Sequence, residues 1–260
     1  MTVKTVFASN SARAKVRIEQ EQQQLQLKFD SDQRAIQSAI DIEQPHRLLM
    51  ENLIYLMGIL LFIPAPRNIL LLGVGGGALV HYFRHYLPDS SITAVDYDAE
   101  LLQIARERMK LPPADATLEY VVQDAAEFIQ RCPRAYDLIV VDIFDAGLTP
   151  PWLLQQPFNQ QLRQCLSQQG ALAYNLLLLS DQRFNRFQQM LDGLCRQQTL
   201  YLQMEDYENY LAYGLNFKSA ARSLNDQLQH CADLQQRYQL PLCEVLKLIY
   251  DSNPQGKGII

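Results

Sequence analysis

The sequence predicts an α/β fold: a Rossmann-like, mostly parallel sheet with helices on both faces, an antiparallel hairpin at its end, and a small N-terminal β-domain. From residue 69 onward, short and almost wholly apolar segments alternate with helix-like ones, which is typical of a parallel sheet covered on both sides. Residues 15–42 instead alternate polar and apolar side chains, as half-buried strands do. The chain of 260 residues is long enough to bury a large core without disulfides.

The N-terminal segments show the two-residue period of apolar side chains that is typical of β-strands. Residues 15–42 fit the short strands of a meander, whose apolar positions are Val16, Ile18, Leu25, Leu27, Phe29, Ile36 and Ile40. Pro45 ends this region, residues 46–62 fit a helix, and Pro64-Ala65-Pro66 makes a rigid turn. The predicted units are therefore an N-terminal β-strand domain at 1–44, a Rossmann-like domain at 45–222 and a C-terminal helical extension at 223–260.

Strands and helices then alternate along the Rossmann-like domain. Parallel strands are predicted at 69–72, 91–95, 118–122, 136–141 and 171–179. Helices are predicted at 78–86, 99–110, 125–131, 158–166 and 181–197, the last one capped by Ser180-Asp181. Strands at 199–204 and 210–217, around the turn Asp206-Tyr207-Glu208-Asn209, form the closing hairpin. After Ser223 the pattern is helical to Tyr250.

Charge and hydropathy argue against two classes of partner. The net charge of -5 and the lack of a dense basic run disfavour a nucleic-acid binder, whose affinity rests on clustered Lys and Arg. The apolar run Leu53–Ile63 has about half the length that a bilayer requires, and Pro64 stops it, so no membrane span is expected. The N-terminus lacks the pattern of a signal peptide. The expected location is the cytoplasm.

Neither the cysteines nor the histidines have the spacing of metal ligands. The five cysteines lie far apart, without a Cys-x-x-Cys pair, and are interpreted as free thiols in a reducing compartment. His81 and His85 lie one helical turn apart, but no acidic third ligand is near them in the sequence. No metal is therefore predicted.

A glycine-rich loop follows the first parallel strand and precedes a helix. Its residues are Gly73, Val74, Gly75, Gly76 and Gly77. Glycines at such a turn let a ligand approach the backbone and let the amides of the helix N-terminus point at it. A structural turn is the simpler alternative. The spacing Gly73-x-Gly75-x-x-Ala78 also satisfies the fingerprint of a nicotinamide cofactor site.

Two aspartates end the next two strands. Asp96 lies 19 residues after Gly77, where a carboxylate accepts hydrogen bonds from ribose hydroxyls; a solvated strand end is the alternative. Asp124 follows the third strand, where its carboxylate could accept from an adenine amino group while the neighbouring amide of Ala125 donates to a ring nitrogen. Asp124 could equally cap the helix that starts at Ala125, and both roles can coexist.

A pair of aspartates follows the fourth strand, in Asp142-Ile143-Phe144-Asp145. Two carboxylates over the cleft could hold a cationic amine and take its proton, although Asp145 could simply cap a turn. Asp124 and this pair favour S-adenosylmethionine or its decarboxylated form over a nicotinamide cofactor. The closing hairpin favours the same choice, and no His or Lys suited to hydride transfer is evident.

Over residues 15–217 the sequence resembles the spermidine synthase family, also called polyamine aminopropyltransferases, a branch of the S-adenosylmethionine-dependent methyltransferase fold. The resemblance runs through Leu70–Gly77, Ala94–Asp98, Gln123–Ala125 and above all Tyr136–Asp145. An apolar Leu71, where general methyltransferases often carry an acidic residue, also suits this family.

The resemblance implies roles for particular residues. Gln37 corresponds to a glutamine that contacts the nucleotide from the β-domain. Asp142 would help to deprotonate the attacking amine, and Asp145 would help to bind it. The reaction is an in-line attack of an amine on a carbon attached to the sulfonium, and no metal is needed.

Three features depart from the family pattern, which marks a divergent branch. Gly76 stands where the family has an aspartate in the glycine loop. Glu51 and Asn52 stand where it has a Tyr-His pair, and Tyr55 lies about one turn further on. The gate after Asp145 is Ala146-Gly147-Leu148-Thr149-Pro150-Pro151-Trp152, in which Trp152 either lines the substrate mouth or serves packing.

Three functional hypotheses follow. The first is a transferase that moves an aminopropyl group to an amine such as putrescine. The second is a methyltransferase that uses S-adenosylmethionine itself, for whose carboxylate the amides of residues 75–77 could supply donors. The third is a nucleotide-binding protein whose catalytic residues have decayed. The C-terminal helices either mediate a homodimer or cover the sheet.

Overall fold

The structure is a computed structural model that describes residues 3–10, 15–29, 36–132, 134–145, 147–204, 209–219, 224–253 and 259. Within these residues, no helix is long and apolar enough to cross a membrane. The five cysteines are free thiols.

The N-terminal strands form a separate antiparallel sheet, in the order β1-β2-β3-β4. Its strands are β1 (Lys4–Asn10), β2 (Lys15–Glu21), β3 (Gln24–Phe29) and β4 (Ser38–Asp41). Val16, Ile18 and Leu27 are buried, which confirms the predicted alternation. The sequence pattern predicts no strand before residue 15, because β1 is an edge strand whose described side chains are mostly exposed, as Val6 is.

The connection between the two sheets differs from the single helix predicted at 46–62. Residues 43–50 form turns, and an isolated bridge joins Leu48 to Ile40 of β4. Helix α1 (Glu51–Leu56) then passes directly into a 3-10 helix, Met57–Leu61, all of which is buried. Gly58 lies against Val245, where an added Cβ would come within 2.7 Å of the valine side chain. Close packing therefore overrides the α-helical period here.

The main sheet has seven strands in the order β10-β11-β9-β8-β5-β6-β7. Its strands are β5 (Asn68–Leu72), β6 (Ser91–Asp96), β7 (Leu118–Val122), β8 (Tyr136–Val141), β9 (Leu166–Leu177), β10 (Thr199–Gln203) and β11 (Asn209–Leu215). Strands β5 to β9 pair in parallel, and β11 runs antiparallel to both neighbours. The fold class is confirmed, including the closing hairpin, while its turn at 205–208 lies outside the described residues.

Helices cover both faces of this sheet. They are α2 (Ala78–Tyr86), α3 (Ala99–Arg108), α4 (Ala125–Gln130), α5 (Gln156–Gln164), α6 (Asp181–Leu194), α7 (Leu224–Tyr238) and α8 (Leu242–Ser252). Successive residues of β5 alternate between two cores: Ile69 and Leu71 face the core shared with α2, α3, α7 and α8, whereas Leu70 and Leu72 face the core shared with α4, α5 and α6. The strands are thus apolar on both faces because helices cover both faces of the sheet.

Some boundaries differ from the sequence prediction. Strand β9 begins at Leu166, five residues earlier than predicted, because this segment pairs with Tyr136 before a register shift. Ser180 lies at the N-cap of α6 but makes no side-chain capping bond. The C-terminal helix is broken between α7 and α8, where Gln239 has a φ of 51° and Pro241 follows. Both helices cover the sheet, whereas the homodimer stays a prediction.

Strand order places a switch point beside β5. The chain runs from β5 to β6 and β7 on one side of β5 and then returns to form β8 on the other side. The strands on the two sides of β5 are therefore added in opposite directions across the sheet. In open parallel sheets, ligands bind at the carboxyl ends of the strands on either side of such a point. The relevant segments here are those that follow Leu72 and Val141.

Candidate active site

One cavity of about 1390 Å³ opens at this switch point, between the carboxyl edge of the main sheet and the N-terminal sheet. Eight of the ten predicted site residues line it: Gln37, Gly73, Gly75, Asp96, Asp124, Ala125, Asp142 and Asp145. The structure does not bring Gly76 and Gly77 to the cavity wall within the part of the chain that it describes. The predicted residues from two sheets and four loops therefore meet in one place.

Gly73 fixes the approach of the glycine loop to the segment after β8. Its φ is 90°, and a Cβ at this position would lie 2.2 Å from the backbone oxygen of Asp142. The amide of Asp142 in turn donates to the carbonyl of Leu72 at 2.9 Å. Only glycine permits this contact, since both the backbone conformation and the space exclude a side chain. The glycine-rich loop and the segment that carries the aspartate pair are thereby held together.

Gly76 packs away from the cavity. A Cβ here would lie 2.7 Å from the Oγ of Ser38 and 2.9 Å from the Cε of Met109. Ser38 belongs to β4 and is 5% exposed, so the loop is wedged against the N-terminal sheet. A larger side chain at this position, where the resemblance expects an aspartate, would therefore require Ser38 and Met109 to move. Gly77, at the N-cap of α2, similarly packs on Leu111.

Asp96 binds the backbone of the glycine loop. Its Oδ2 accepts hydrogen bonds from the amides of Val74 at 2.9 Å and Gly75 at 3.4 Å, and its Oδ1 accepts from the amide of Asp98 at 3.0 Å. Burial raises the pKa of Asp96, whereas these amide bonds lower it. Asp96 is 8% exposed and lines the cavity, so it could shape the loop and accept from a ligand hydroxyl at once.

Most loop amides are already used within the protein. The amide of Gly73 donates to Val95 at 2.9 Å and that of Gly77 to Val74 at 2.9 Å, in addition to the two that Asp96 takes. The amides of Gly75 and Gly77, which the methyltransferase alternative would use for a cofactor carboxylate, thus already have partners within the protein. Gly76 does not line the cavity.

Asp124 is the N-cap of α4, as the structural alternative stated. Its Oδ1 accepts from the amides of Ala126 at 2.8 Å and Glu127 at 3.2 Å. The side chain is also exposed and lines the cavity together with Ala125, so capping and adenine contact are compatible. The adenine contact stays a prediction.

Asp142 is the half-buried member of the aspartate pair. Its Oδ1 accepts a hydrogen bond from the Nδ2 of Asn175 at 2.9 Å. Burial raises the pKa of Asp142 to about 6, although the bond from Asn175 opposes the rise. A carboxylate whose pKa lies near neutrality is suited to accept a proton from a substrate and release it again.

Asp145 lies at a tight turn and is exposed. Its amide donates to the carbonyl of Leu148 at 2.8 Å, and the amide of Leu148 donates back at 3.0 Å. Gly147, with a φ of 80°, completes the turn. Trp152 lines the cavity and also stacks edge-on against Phe158, with the ring centroids 5.0 Å apart, so both of its proposed roles coexist.

Tyr55 does not replace the Tyr-His pair that the resemblance expects. Its hydroxyl donates to Glu51 at 2.7 Å and lies 3.4 Å from Glu244 of α8, away from the cavity wall. Asn52 does line the cavity, but its Oδ1 accepts from the amide of Leu53 at 3.0 Å. Of Glu51, Asn52 and Tyr55, Asn52 alone lines the cavity.

Sequence reasoning missed several wall residues. The missed polar residues are Gln24, Gln26, Ser38, Asn52, Tyr97, Asp98, Gln123 and Asn209. Asp98 follows Asp96 by two residues and caps α3 through its Oδ1, so strand-end position could have identified it. Gln24, Gln26 and Asn209 depend on how the two sheets meet and on the pairing of β11, which no local pattern shows.

Among the described residues, the charged side chains that line the cavity are all negative. Its charged side chains are Asp96, Asp98, Asp124, Asp142 and Asp145, and no Lys, Arg or His lines it. Clefts lined by one sign of charge attract ligands of the opposite sign. The described residues include no group of three or more His, Cys, Asp or Glu that could hold a metal ion. The cavity is thus suited to organic cations.

Comparisons with known proteins were made next. Residues 51–220 match the family model of the spermine/spermidine synthase domain. A polyamine aminopropyltransferase from Neisseria meningitidis serogroup A is 32% identical over 224 residues, which are 85% of this chain and 84% of the relative. Another, from Chromobacterium violaceum, is 26% identical over 223 residues, covering 86% and 85%.

Solved structures show the same fold. A probable spermidine synthase from Corynebacterium glutamicum has a TM-score of 0.75 at 18% identity, covering 96% of this chain and 95% of that chain. Human methyltransferase-like protein 13, in complex with SAH, has a TM-score of 0.62 at 20% identity, covering 76% and 93%.

Proposed function

The chain belongs to the spermine/spermidine synthase family, a family of transferases, and we propose that it moves an aminopropyl group from decarboxylated S-adenosylmethionine to an amine of the putrescine class. The observation that carries this proposal is the charge of the cavity. Five aspartates and no basic side chain line it in the described residues. Both reactants are cations, so the cavity attracts the two of them.

The nucleotide would occupy the half of the cavity around the glycine loop. Gly73 and Gly75 let it approach the backbone, Asp96 accepts from the ribose, and Asp124 and Ala125 contact the adenine. Gln37, which is half-buried, reaches the same cavity from the N-terminal sheet and would contact the far end of the nucleotide. These residues come from three strand ends and from the position just before β4, so folding alone brings them together.

The amine would bind at the other half, between Asp142 and Asp145. Its nitrogen attacks the carbon of the aminopropyl group that is bonded to the sulfonium; the C–N bond forms as the C–S bond breaks, and methylthioadenosine leaves. Before the attack, the bound ammonium group gives one proton to the carboxylate of Asp142, which frees the lone pair of the nitrogen, and Asp142 later passes this proton to water. Orienting the two reactants could lower the barrier by about 7 to 11 kcal/mol in favourable cases.

Methyl transfer from S-adenosylmethionine fits less well. Its carboxylate would enter a cavity of five aspartates, where like charges repel it. The amides of Gly73, Val74, Gly75 and Gly77 are already bonded within the protein. Decay of the catalytic residues is also disfavoured, because both aspartates of the pair line the cavity and Asp142 has a hydrogen-bond partner.

The test compares two nucleotides with the same acceptor. The pure protein is incubated with putrescine and either decarboxylated S-adenosylmethionine or S-adenosylmethionine, and products are measured by mass spectrometry. We expect spermidine and methylthioadenosine from the decarboxylated form only, and their loss in the Asp142→Asn variant. A methylated amine with S-adenosylhomocysteine would replace the proposal by the methyltransferase alternative. Tight nucleotide binding in calorimetry without any product would favour the decayed protein.

A further inference from the structure

A chain of side-chain amides crosses three strands and ends on the carboxylate of Asp142. The Nδ2 of Asn209 on β11 donates to the Oδ1 of Asn175 on β9 at 2.8 Å. The Nδ2 of Asn175 donates to the Oδ1 of Asp142, which follows β8, at 2.9 Å. Asn209 lines the cavity, so the chain runs from the cavity wall through the sheet and back to the reacting carboxylate.

The burial of Asn175 restricts how its side-chain amide can be oriented. Its side chain is 1% exposed, and a buried amide needs partners for both its oxygen and its nitrogen. An ionised carboxylate only accepts hydrogen bonds, so the Nδ2 must face Asp142, and the Oδ1 must then face Asn209. Asp142 and Asn209 therefore together fix which end of the Asn175 amide points at the carboxylate.

We propose that Asn175 is a positioning residue for proton transfer to Asp142, and that Asn209 helps to fix its orientation. The bond holds one oxygen of the Asp142 carboxylate and leaves the other oxygen for the substrate nitrogen. It also stabilises the ionised form, which is the form that can take a proton. This inference rests on the proposed function for its kinetic consequence but not for its effect on ionisation.

Burial and this bond are the influences that shift the ionisation of Asp142. Burial raises its pKa and the bond from Asn175 lowers it. The other carboxylates on the cavity wall belong to the β6–α3 connection (Asp96, Asp98), to the start of α4 (Asp124) and to the same loop (Asp145). Removing the donor should therefore raise the pKa of Asp142, so that a larger fraction is protonated and inactive at pH 7.

The test replaces Asn175 by leucine, which has a similar size and no hydrogen-bond donor. We expect kcat with decarboxylated S-adenosylmethionine and putrescine to fall about twofold at pH 7 from ionisation, because a pKa raised by about 1 unit from about 6 leaves half of Asp142 ionised, and further through the lost orientation of the carboxylate. The acidic limb of the kcat profile should move upward by about 1 pH unit. The KM for the nucleotide should stay within about twofold, since the nucleotide half is untouched. Asn209→Ala, which keeps Asn175 but frees its amide to turn, should shift the same limb less.

The matched control is Asn253→Leu. Asn253 is also 1% exposed and bonded on both ends of its amide, to Tyr201 of β10, but it lies outside the cavity wall. We expect this variant to lower the melting temperature without moving the pH profile. The comparison of the two variants then separates an effect of lower stability, which both share, from the loss of the hydrogen-bond donor to Asp142, which only Asn175→Leu has.

A second readout works without turnover. In protein labelled with ¹³C at the aspartate carboxyls, the resonance of Asp142 is the one missing from Asp142→Asn, and its titration gives the midpoint directly. If the wild-type protein forms no spermidine, the proposed function fails while this titration still decides the role of Asn175. A midpoint that is unchanged in both Asn175→Leu and Asn209→Ala overturns the inference.

Discussion

The two halves of the cavity hold their aspartates in contrasting ways. Asp96, in the nucleotide half, accepts three hydrogen bonds from backbone amides, which the fold supplies whatever side chains surround it. Asp142, in the acceptor half, has one donor, and this donor is a side chain. Asp145 stands exposed on a turn. In the proposed function, nucleotide binding would thus rest on backbone groups, while acceptor chemistry would rest on side chains that can be replaced.

The largest expected effect comes from Asp142→Asn, which removes the proton acceptor. We expect kcat to fall by about a hundredfold to ten thousandfold, with little change in nucleotide affinity measured by calorimetry. A loss of nucleotide affinity as large as the loss of kcat would contradict the separation of the two halves.

The same variant should be more stable than the wild type at high pH. The pKa of Asp142 is raised to about 6 in the folded protein, so protonation of its carboxyl favours the folded state at low pH. This contribution to the free energy of unfolding is lost as the pH rises through that value. Asn carries no charge, so urea unfolding at pH 8 should show a gain of about 1 to 3 kcal/mol. The gain should disappear near pH 4, and equal gains at both pH values would show that ionisation is not its cause.

The next largest effect is expected from Gly73→Ala. The new Cβ would meet the backbone oxygen of Asp142 at 2.2 Å, so the two halves would have to separate. We expect a destabilisation of at least about 2 kcal/mol and the loss of measurable nucleotide binding. Gly147→Ala is the matched control, since its φ is also positive, at 80°, but nothing lies within 4 Å of the added Cβ. It should cost only about 1 kcal/mol and leave nucleotide binding unchanged; equal effects of the two variants would mean that backbone conformation alone is responsible.

A smaller effect is expected from Asp96→Asn. An amide keeps one accepting oxygen but places an NH₂ group against a backbone donor, so the loop loses part of its support. We expect the nucleotide dissociation constant to rise about tenfold to a hundredfold, while kcat at saturating nucleotide changes little. An unchanged dissociation constant in calorimetry would show that the loop keeps its shape without this carboxylate.

The smallest effect is expected at Asp124, where two substitutions separate two roles. Asn caps helices as well as Asp does, whereas Ala costs about 1 kcal/mol. Asp124→Ala should therefore lower stability and Asp124→Asn should not, while both should weaken nucleotide binding equally if the carboxylate contacts the adenine. Full affinity in Asp124→Asn would leave capping as its only role.

Local pattern was sufficient for the strand-end residues of the site. Apolar strands followed by helices place Asp96, Asp124 and Asp142 at one edge of a parallel sheet, and the structure brings them to one cavity. The prediction could not extend to Asn175 and Asn209, because their contact depends on the pairing of β9 with β11 across 34 positions.

Packing between elements also escapes a sequence pattern. The direction in which Gly76 faces depends on how the N-terminal sheet docks on the loop. The 3-10 helix at Met57–Leu61 packs through Gly58 against Val245 of α8, which is nearly two hundred residues later in the chain. Such features require the tertiary structure.

The wedge of Ser38 and Met109 against Gly76 also limits how an aspartate could be engineered at position 76. Its Cβ would meet the Oγ of Ser38 at 2.7 Å and the Cε of Met109 at 2.9 Å. The end of the methionine side chain can rotate aside, but Ser38 is held on β4 by its pairing with β3. The double substitution with Ser38→Gly should therefore accept the aspartate at a smaller loss of stability than the single substitution does.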